Sequence, residues 1–252
     1  MDNRLENKVA VITGANSGIG LATAKEYAQQ GAQVVVMARS QAKVDASIKE
    51  IGLGAKGFVG DVTDLASLRD FYENVAKDVG KIDILFTSAG IFKPTMIDDT
   101  DEALYSQLVD TNFKGTFFSV QFAVPHLNEG ASVILVSSCL GEMGMEGASI
   151  YNATKAAVRS LARSFTPELT KIGARVNVLS PGPVDTPIHA NRGLAEDEVK
   201  EFWGIFDKLP AGRVGRVTEM AKTALFLASE DSSYLYGSEI QADGGMNQVR
   251  WY

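Results

Sequence analysis

Hydrophobic positions in this chain fall into short unbroken runs, separated by longer segments in which apolar residues recur with helical period. Lys8–Thr13 (KVAVIT), Gln33–Ala38 (QVVVMA) and Ile82–Thr87 (IDILFT) are runs of the first kind. Near-continuous, β-branched runs of this length suit parallel strands buried on both faces. Further strands are predicted at Ala55–Gly60, Ser132–Ser137, Val176–Leu179 and Glu239–Ala242. Between them the period predicts helices over Ile19–Gln30, closed by Gly31, over Gln41–Ile51 and over Leu65–Val79. Asp101–Leu127 reads as two helices meeting near Asn112, a further helix begins near Ser149, and Glu219–Ala228 is the last.

Strand and helix alternate throughout, which predicts an α/β fold: one doubly wound sheet of about seven parallel strands with helices on both faces. In such sheets ligands bind beyond the carboxyl ends of the strands, so the loops after strands should carry the function. Pro181–Pro187 (PGPVDTP) reads as neither helix nor central strand. The polar, acidic stretch Ala190–Asp207 after it reads as a mobile excursion, placing a substrate lid around residues 186–210.

Composition narrows the picture without changing it. With 252 residues and 45% hydrophobic content, the chain is read as a single domain over residues 1–252. Lys and Arg total 24 against 31 acidic residues, and the net charge of −7 disfavours nucleic acid or an anionic membrane as partner. The single cysteine, Cys139, allows no intrachain disulfide, and the two histidines, His126 and His189, are too few for a usual metal site. No apolar run approaches the ~20 residues of a membrane span, and the N-terminal stretch lacks a secretory leader, so a cytoplasmic setting is expected.

The candidate chemistry lies between Ser138 and Lys155. Ser138 falls at a strand end, and Tyr151 and Lys155 are spaced i, i+4, which puts them on one helix face. A phenol titrates near ~10, and bringing it to ~7 requires about 4 kcal/mol, most of which one partly desolvated cation can supply. The same spacing also serves a half-buried helix whose Tyr packs and whose Lys reaches water. A second candidate is TGANSGIG, Thr13–Gly20, between the first strand and first helix. There Gly14, Gly18 and Gly20 let the backbone approach a pyrophosphate and aim a helix N-terminus at it.

The Gly-x-x-x-Gly-x-Gly spacing, taken with Asn112, Ser138, Tyr151 and Lys155, resembles the short-chain dehydrogenase/reductase family. Asp61, Ala89-Gly90, Pro181-Gly182 and Asp243-Gly244-Gly245 fall where that family's motifs fall, so the resemblance spans nearly the whole chain. LPAGRVGR, FLASEDSSY and VDTPI are similar to bacterial NADPH-linked secondary-alcohol dehydrogenases. The resemblance implies that Ser138 hydrogen-bonds a substrate carbonyl and Tyr151 delivers its proton. Lys155 would depress the Tyr151 pKa and bind the nicotinamide ribose, while Asn112 would hold a water in a proton path. It also implies cofactor contacts from Asn16, Ser17 and Ile19 in the Gly-rich loop, and from Ser88, Ala89, Gly90, Pro181, Gly182, Val184 and Thr186. Asp61 would bind the adenine through its side chain, and Val62 through its backbone.

After the second strand stand Arg39 and Ser40 in place of an acidic residue, suited to a 2′-phosphate, so NADP(H) is the expected cofactor. One departure is Thr87-Ser88-Ala89-Gly90, where the family carries Asn-Asn-Ala-Gly; a shifted cofactor loop is expected. Leu194, Phe202, Trp203, Ile205 and Phe206 in the lid, with Ile91, Phe92, Met143 and Met145, suit a bulky apolar ketone. Val199, Phe202, Phe206 and Leu209 equally suit a helix face packed on the body. Reduction of 3-oxoacyl groups on a carrier protein, oxidation of a sugar or polyol, and non-catalytic dinucleotide sensing are the alternatives. The family's habit of assembly implies a homo-oligomer, a tetramer before a dimer.

Overall fold

Seven hydrophobic runs become seven strands, and the segments between them fold back as helices. The structure is a computed structural model that describes residues 3–188 and 203–250. In chain order the elements are β1 (Val9–Thr13), α1 (Gly18–Gln29), β2 (Gln33–Ala38), α2 (Gln41–Ile51), β3 (Lys56–Val59), α3 (Leu65–Asp78) and β4 (Ile82–Thr87). They continue with α4 (Glu102–Val109), α5 (Gly115–Ala123), β5 (Leu127–Val136), α6 (Ser149–Leu169), β6 (Arg175–Pro181), α7 (Val217–Ala228) and β7 (Glu239–Ala242). All strands pair in parallel, in the order β3-β2-β1-β4-β5-β6-β7. The order reverses between β1 and β4, which is the topological switch point.

Alternate residues of each strand feed two cores. Ala10 and Ile12 of β1 join Val34 and Val36 of β2 beneath α1 and α7. Val11, Val35, Leu85 and Val133 point the other way, beneath α3, α5 and α6. This period-two division is why the strands are apolar at nearly every position. Tyr27 donates its buried hydroxyl to the Ala224 carbonyl at 3.0 Å, tying α1 to α7. Asp64 caps α3 by accepting from Ala66 and Ser67.

Three expectations are corrected in detail. Strand β5 starts at Leu127, before the predicted Ser132, because it runs through Asn128–Gly130, polar positions that the hydrophobic pattern passes over; its register on β4 shifts there. The stretch 101–127 is indeed two helices, but they are joined by a π-turn over Asp110–Lys114, and Leu127 already belongs to β5. Pro181, expected outside any central strand, ends β6 opposite Ala242. A proline is tolerated at that terminal position because the next ladder bond comes from the Gly182 N–H, to the Ala242 carbonyl at 3.0 Å. Of the lid region, residues 189–202 lie outside the described residues, and with them Leu194, Val199, Phe202 and His189. No helix among the described residues is long and apolar enough to cross a membrane.

Candidate active site

The carboxyl ends of the strands bring the sequence motifs to one edge of the sheet. Gly14 adopts φ +70°, and a Cβ there would lie 2.6 Å from the Ala89 nitrogen, so only glycine lets the loop after β1 touch the loop after β4. Thr13 fastens that contact: its carbonyl accepts the Ser88 N–H at 3.3 Å and its hydroxyl the Ala89 N–H at 3.4 Å. Helix α1 then opens with Ser17 at its N-cap, whose side chain makes no capping bond, and with no acidic residue in its first turn. The positive end of the helix is thus left for an anion. A Cβ at Gly18 would lie 3.4 Å from the Thr186 side chain, so the loop after β6 closes over the same spot. Asn16 is exposed, Ile19 packs on the core beneath α1, and Val184 is buried and bridged to Gly215.

Across the sheet, Arg39 and Ser40 follow β2 and both are exposed. Ser40 is the N-cap of α2, again with no side-chain cap bond, and Arg39 has no ion pair among the described residues. Asp61 follows β3 and accepts from the Thr63 N–H and hydroxyl through Oδ1, both at 2.9 Å, while Val62 is buried against Gly115. From the end of β3 to that of β5 is four strand spacings, roughly 19 Å, a span on the scale of an extended dinucleotide.

The residues expected to handle the proton converge at the ends of β4 and β5. Ser138 Oγ accepts from the Leu140 N–H at 3.2 Å, which leaves its own hydrogen to donate. Tyr151 and Lys155 are both buried on one face of α6, with Lys155 Nζ 5.7 Å from the phenol ring centre and donating to the Val136 carbonyl at 3.0 Å. Asn112, fully buried in the π-turn, accepts from the Ile91 N–H at 2.8 Å and donates to the Ile91 carbonyl at 2.9 Å. Each end of the amide keeps one bonding position for a water. A Cβ at Gly90 would sit 3.3 Å from Asn112 Oδ1 and 3.5 Å from Lys155 Nζ, so Gly90, Asn112 and Lys155 form one cluster.

Burial dominates the electrostatics. The Tyr151 phenol is pushed up to about 12 by desolvation, and the Ser138 hydroxyl draws it part of the way back. This differs from the expected depression toward 7: with the ring enclosed, loss of water is the largest influence on the phenol. Desolvation also lowers the Lys155 ammonium to about 8. At neutral pH the pair is therefore a protonated phenol beside a charged lysine, the state a proton donor needs. Cys139 is buried with its thiol pushed up to about 11, mainly by desolvation, and is no nucleophile.

Several functional groups have no signature in the sequence. The Val136 carbonyl that holds Lys155 is backbone, which any residue supplies. Ser137 donates to the Lys155 carbonyl at 2.8 Å and fixes α6 to the end of β5; the run Val136-Ser137-Ser138 hints at it only by its second hydroxyl. Phe92 packs edge-on to Tyr151, with Ala148, Leu140 and Ile188 around the pair. Met96, Ile97 and Met145 are exposed. Trp203 and Phe206 meet with ring centroids 5.9 Å apart and planes tilted by 54°, Ile205 is exposed and Leu209 is buried.

The profile of the family described as enoyl-(acyl carrier protein) reductase matches residues 14–247. An oxidoreductase of Sarocladium schorii is 40% identical, with 98% of each chain covered. A 3-oxoacyl-[acyl-carrier-protein] reductase of Thermotoga maritima is 36% identical over 96% of this chain and 99% of its own. Among solved structures, a short-chain dehydrogenase/reductase family protein superposes with TM-score 0.85 at 35% identity, covering 98% of this chain and all of its own. A short-chain dehydrogenase/reductase of Serratia marcescens gives TM-score 0.88 at 27% identity, covering 97% of this chain and 99% of its own.

Proposed function

Given that the chain belongs to the short-chain dehydrogenase/reductase family of oxidoreductases, we propose that it transfers hydride between NADP(H) and a bulky, apolar ketone or secondary alcohol. The observation that carries this reading is the convergence of Ser138, Tyr151 and Lys155 at the sheet edge, within reach of the Gly-rich loop through Gly90 and Ala89.

The residues present fit a dinucleotide. The uncapped α1 N-terminus would hold a pyrophosphate, and Asp61 and Val62 would hold an adenine. Arg39 and the free Ser40 hydroxyl at the α2 N-terminus suit a 2′-phosphate. When bound, the nicotinamide supplies the hydride. Ser138 donates to the substrate oxygen, and Tyr151, protonated at neutral pH, gives that oxygen its proton. Lys155 stabilises the tyrosinate left behind, and Asn112 offers the next bonding position toward solvent.

The apolar cluster of Phe92, Leu140, Ala148 and Ile188 beside Tyr151 supports an apolar substrate. The named likeness to 3-oxoacyl-[acyl-carrier-protein] reductases favours a second reading, an acyl thioester substrate. Neighbouring rings Phe117, Phe118 and Phe122 on α5, half-buried in the single chain, leave apolar surface that suits a homo-oligomer, for which a tetramer is proposed. The buried single cysteine accords with a cytoplasmic setting. A screen of NADPH consumption over bulky ketones, 3-oxoacyl thioesters and sugars tests the substrate class. Turnover of ketones above the other two groups is expected, and preference for thioesters would replace the first reading by the second.

A further inference from the structure

Most of the core apolar packing lies in the two clusters that fill the faces of the sheet, but the Tyr151 ring belongs to neither. It sits in a third, small cluster with Phe92 and Ala148, flanked by Leu140 and Ile188. Helix α6 fixes where the Tyr151 backbone lies, but its ring still has two torsions to set. Phe92 meets that ring at 4.9 Å between centroids and 79° between planes, an edge-to-face contact whose energy depends on orientation.

Phe92 is itself held. Its neighbour Ile91 is clamped at both N–H and carbonyl by the buried Asn112 amide. Three residues on, the Thr95 N–H donates to the Gly147 carbonyl at 2.8 Å, joining the loop after β4 to the one that leads into α6. A rigid path thus runs from Asn112 through Ile91 to Phe92 and onto the phenol.

We propose that Phe92 is a positioning residue for proton transfer, holding the Tyr151 phenol at a fixed tilt and height against the substrate oxygen. It rests on Tyr151 being the acid in the proposed function. Phe92 packs on the ring and has no group that gives or takes a proton, so its removal should slow the chemical step while leaving cofactor binding alone. Without it the phenol gains water and rotational freedom, and its ionisation moves back toward that of a free tyrosine.

The test compares Phe92→Ala and Phe92→Leu with the wild type in kcat of ketone reduction, the pH profile of alcohol oxidation and NADPH binding by fluorescence. A directional ring contact of this kind predicts about tenfold lower kcat for Phe92→Ala and a smaller loss for Phe92→Leu, which fills the space without the ring. NADPH affinity should stay within about twofold, and the alkaline limb of alcohol oxidation, which needs tyrosinate, should move to lower pH in Phe92→Ala. Unchanged kcat with an unmoved limb, or a change in KM alone, would overturn the proposal. If Phe92→Ala does not fold, Phe92→Leu carries the test, and wild-type kcat in that variant overturns it. Tyr151→Phe in the same assay separates the two claims. Activity retained there removes the proposed function itself, whereas an inactive Tyr151→Phe beside wild-type-like Phe92 variants removes only the role of Phe92.

Discussion

Tyr151 and Lys155 are displaced by the same burial in opposite directions, and that fixes how the enzyme should respond to pH. Reduction needs a protonated phenol and gains from a charged ammonium, so its kcat should hold through neutral pH. It should fall as pH rises through about 8, where Lys155 loses its charge. Oxidation of the alcohol needs tyrosinate and should rise over the alkaline range, because the phenol titrates near 12. Paired pH–rate profiles in the two directions check this, and coincident profiles would refute it. At the far end of the site, Arg39 is exposed without an ion pair among the described residues, so Arg39→Asp should lower NADPH efficiency relative to NADH by about a hundredfold, as loss of a bidentate phosphate contact and gain of a repelling charge imply. An unchanged ratio of the two efficiencies would assign Arg39 to the solvated surface.

At the scale of elements, α6 carries the Tyr151–Lys155 pair and also holds its ammonium out of water, at a cost to stability. Burial lowers Lys155 from its ordinary 10.5 to about 8. The folded state therefore binds the proton less well than the unfolded chain, the penalty is complete below pH 8, and it is relieved between 8 and 10.5. Lys155→Met should abolish that relief: wild-type stability, measured by urea unfolding, should gain up to about 3 kcal/mol on the variant between pH 7 and 10. A constant difference between the two proteins over this range would contradict the burial. Such element-level detail marks the limit of what was legible in the sequence. The strands and most helices were readable, since runs such as Gln33–Ala38 face a core on both sides. The start of β5 was not, because Asn128–Gly130 are polar strand residues at the sheet's exposed end. Ser138, Tyr151, Lys155 and Asn112 were legible as residue types in order, but the direction of the Tyr151 shift was not. It depends on how completely Phe92, Ala148 and their neighbours enclose the ring, which no local spacing encodes.

For the whole molecule, stability and chemistry are divided between the two ends of the strands. At the amino end of β6, Arg175 is buried, and its guanidinium donates to the Ser232 carbonyl at 3.0 Å, the Leu227 carbonyl at 3.3 Å and the Ser229 carbonyl at 3.2 Å. Two of these carbonyls lie at the C-terminal end of α7, where a cation complements the helix dipole. Arg175→Met should lose about 2 kcal/mol of unfolding free energy by removing charge-assisted hydrogen bonds, the Leu227, Ser229 and Ser232 carbonyls each keeping another donor, with little change in kcat for the folded fraction. Equal loss of stability and of kcat would show that the two ends are not separable. At the carboxyl end, β1 to β6 deliver their loops to one edge, where the Gly-rich loop, Asn112, Ser138 and the α6 pair meet. The central claim is that this edge performs NADPH-linked carbonyl reduction with Tyr151 as its acid. Its most direct test is the rate of NADPH oxidation with a bulky ketone by the wild type and by Tyr151→Phe. Removal of the general acid predicts a fall of about 10²–10⁴-fold at unchanged NADPH affinity, and appreciable reduction surviving in Tyr151→Phe would contradict the account.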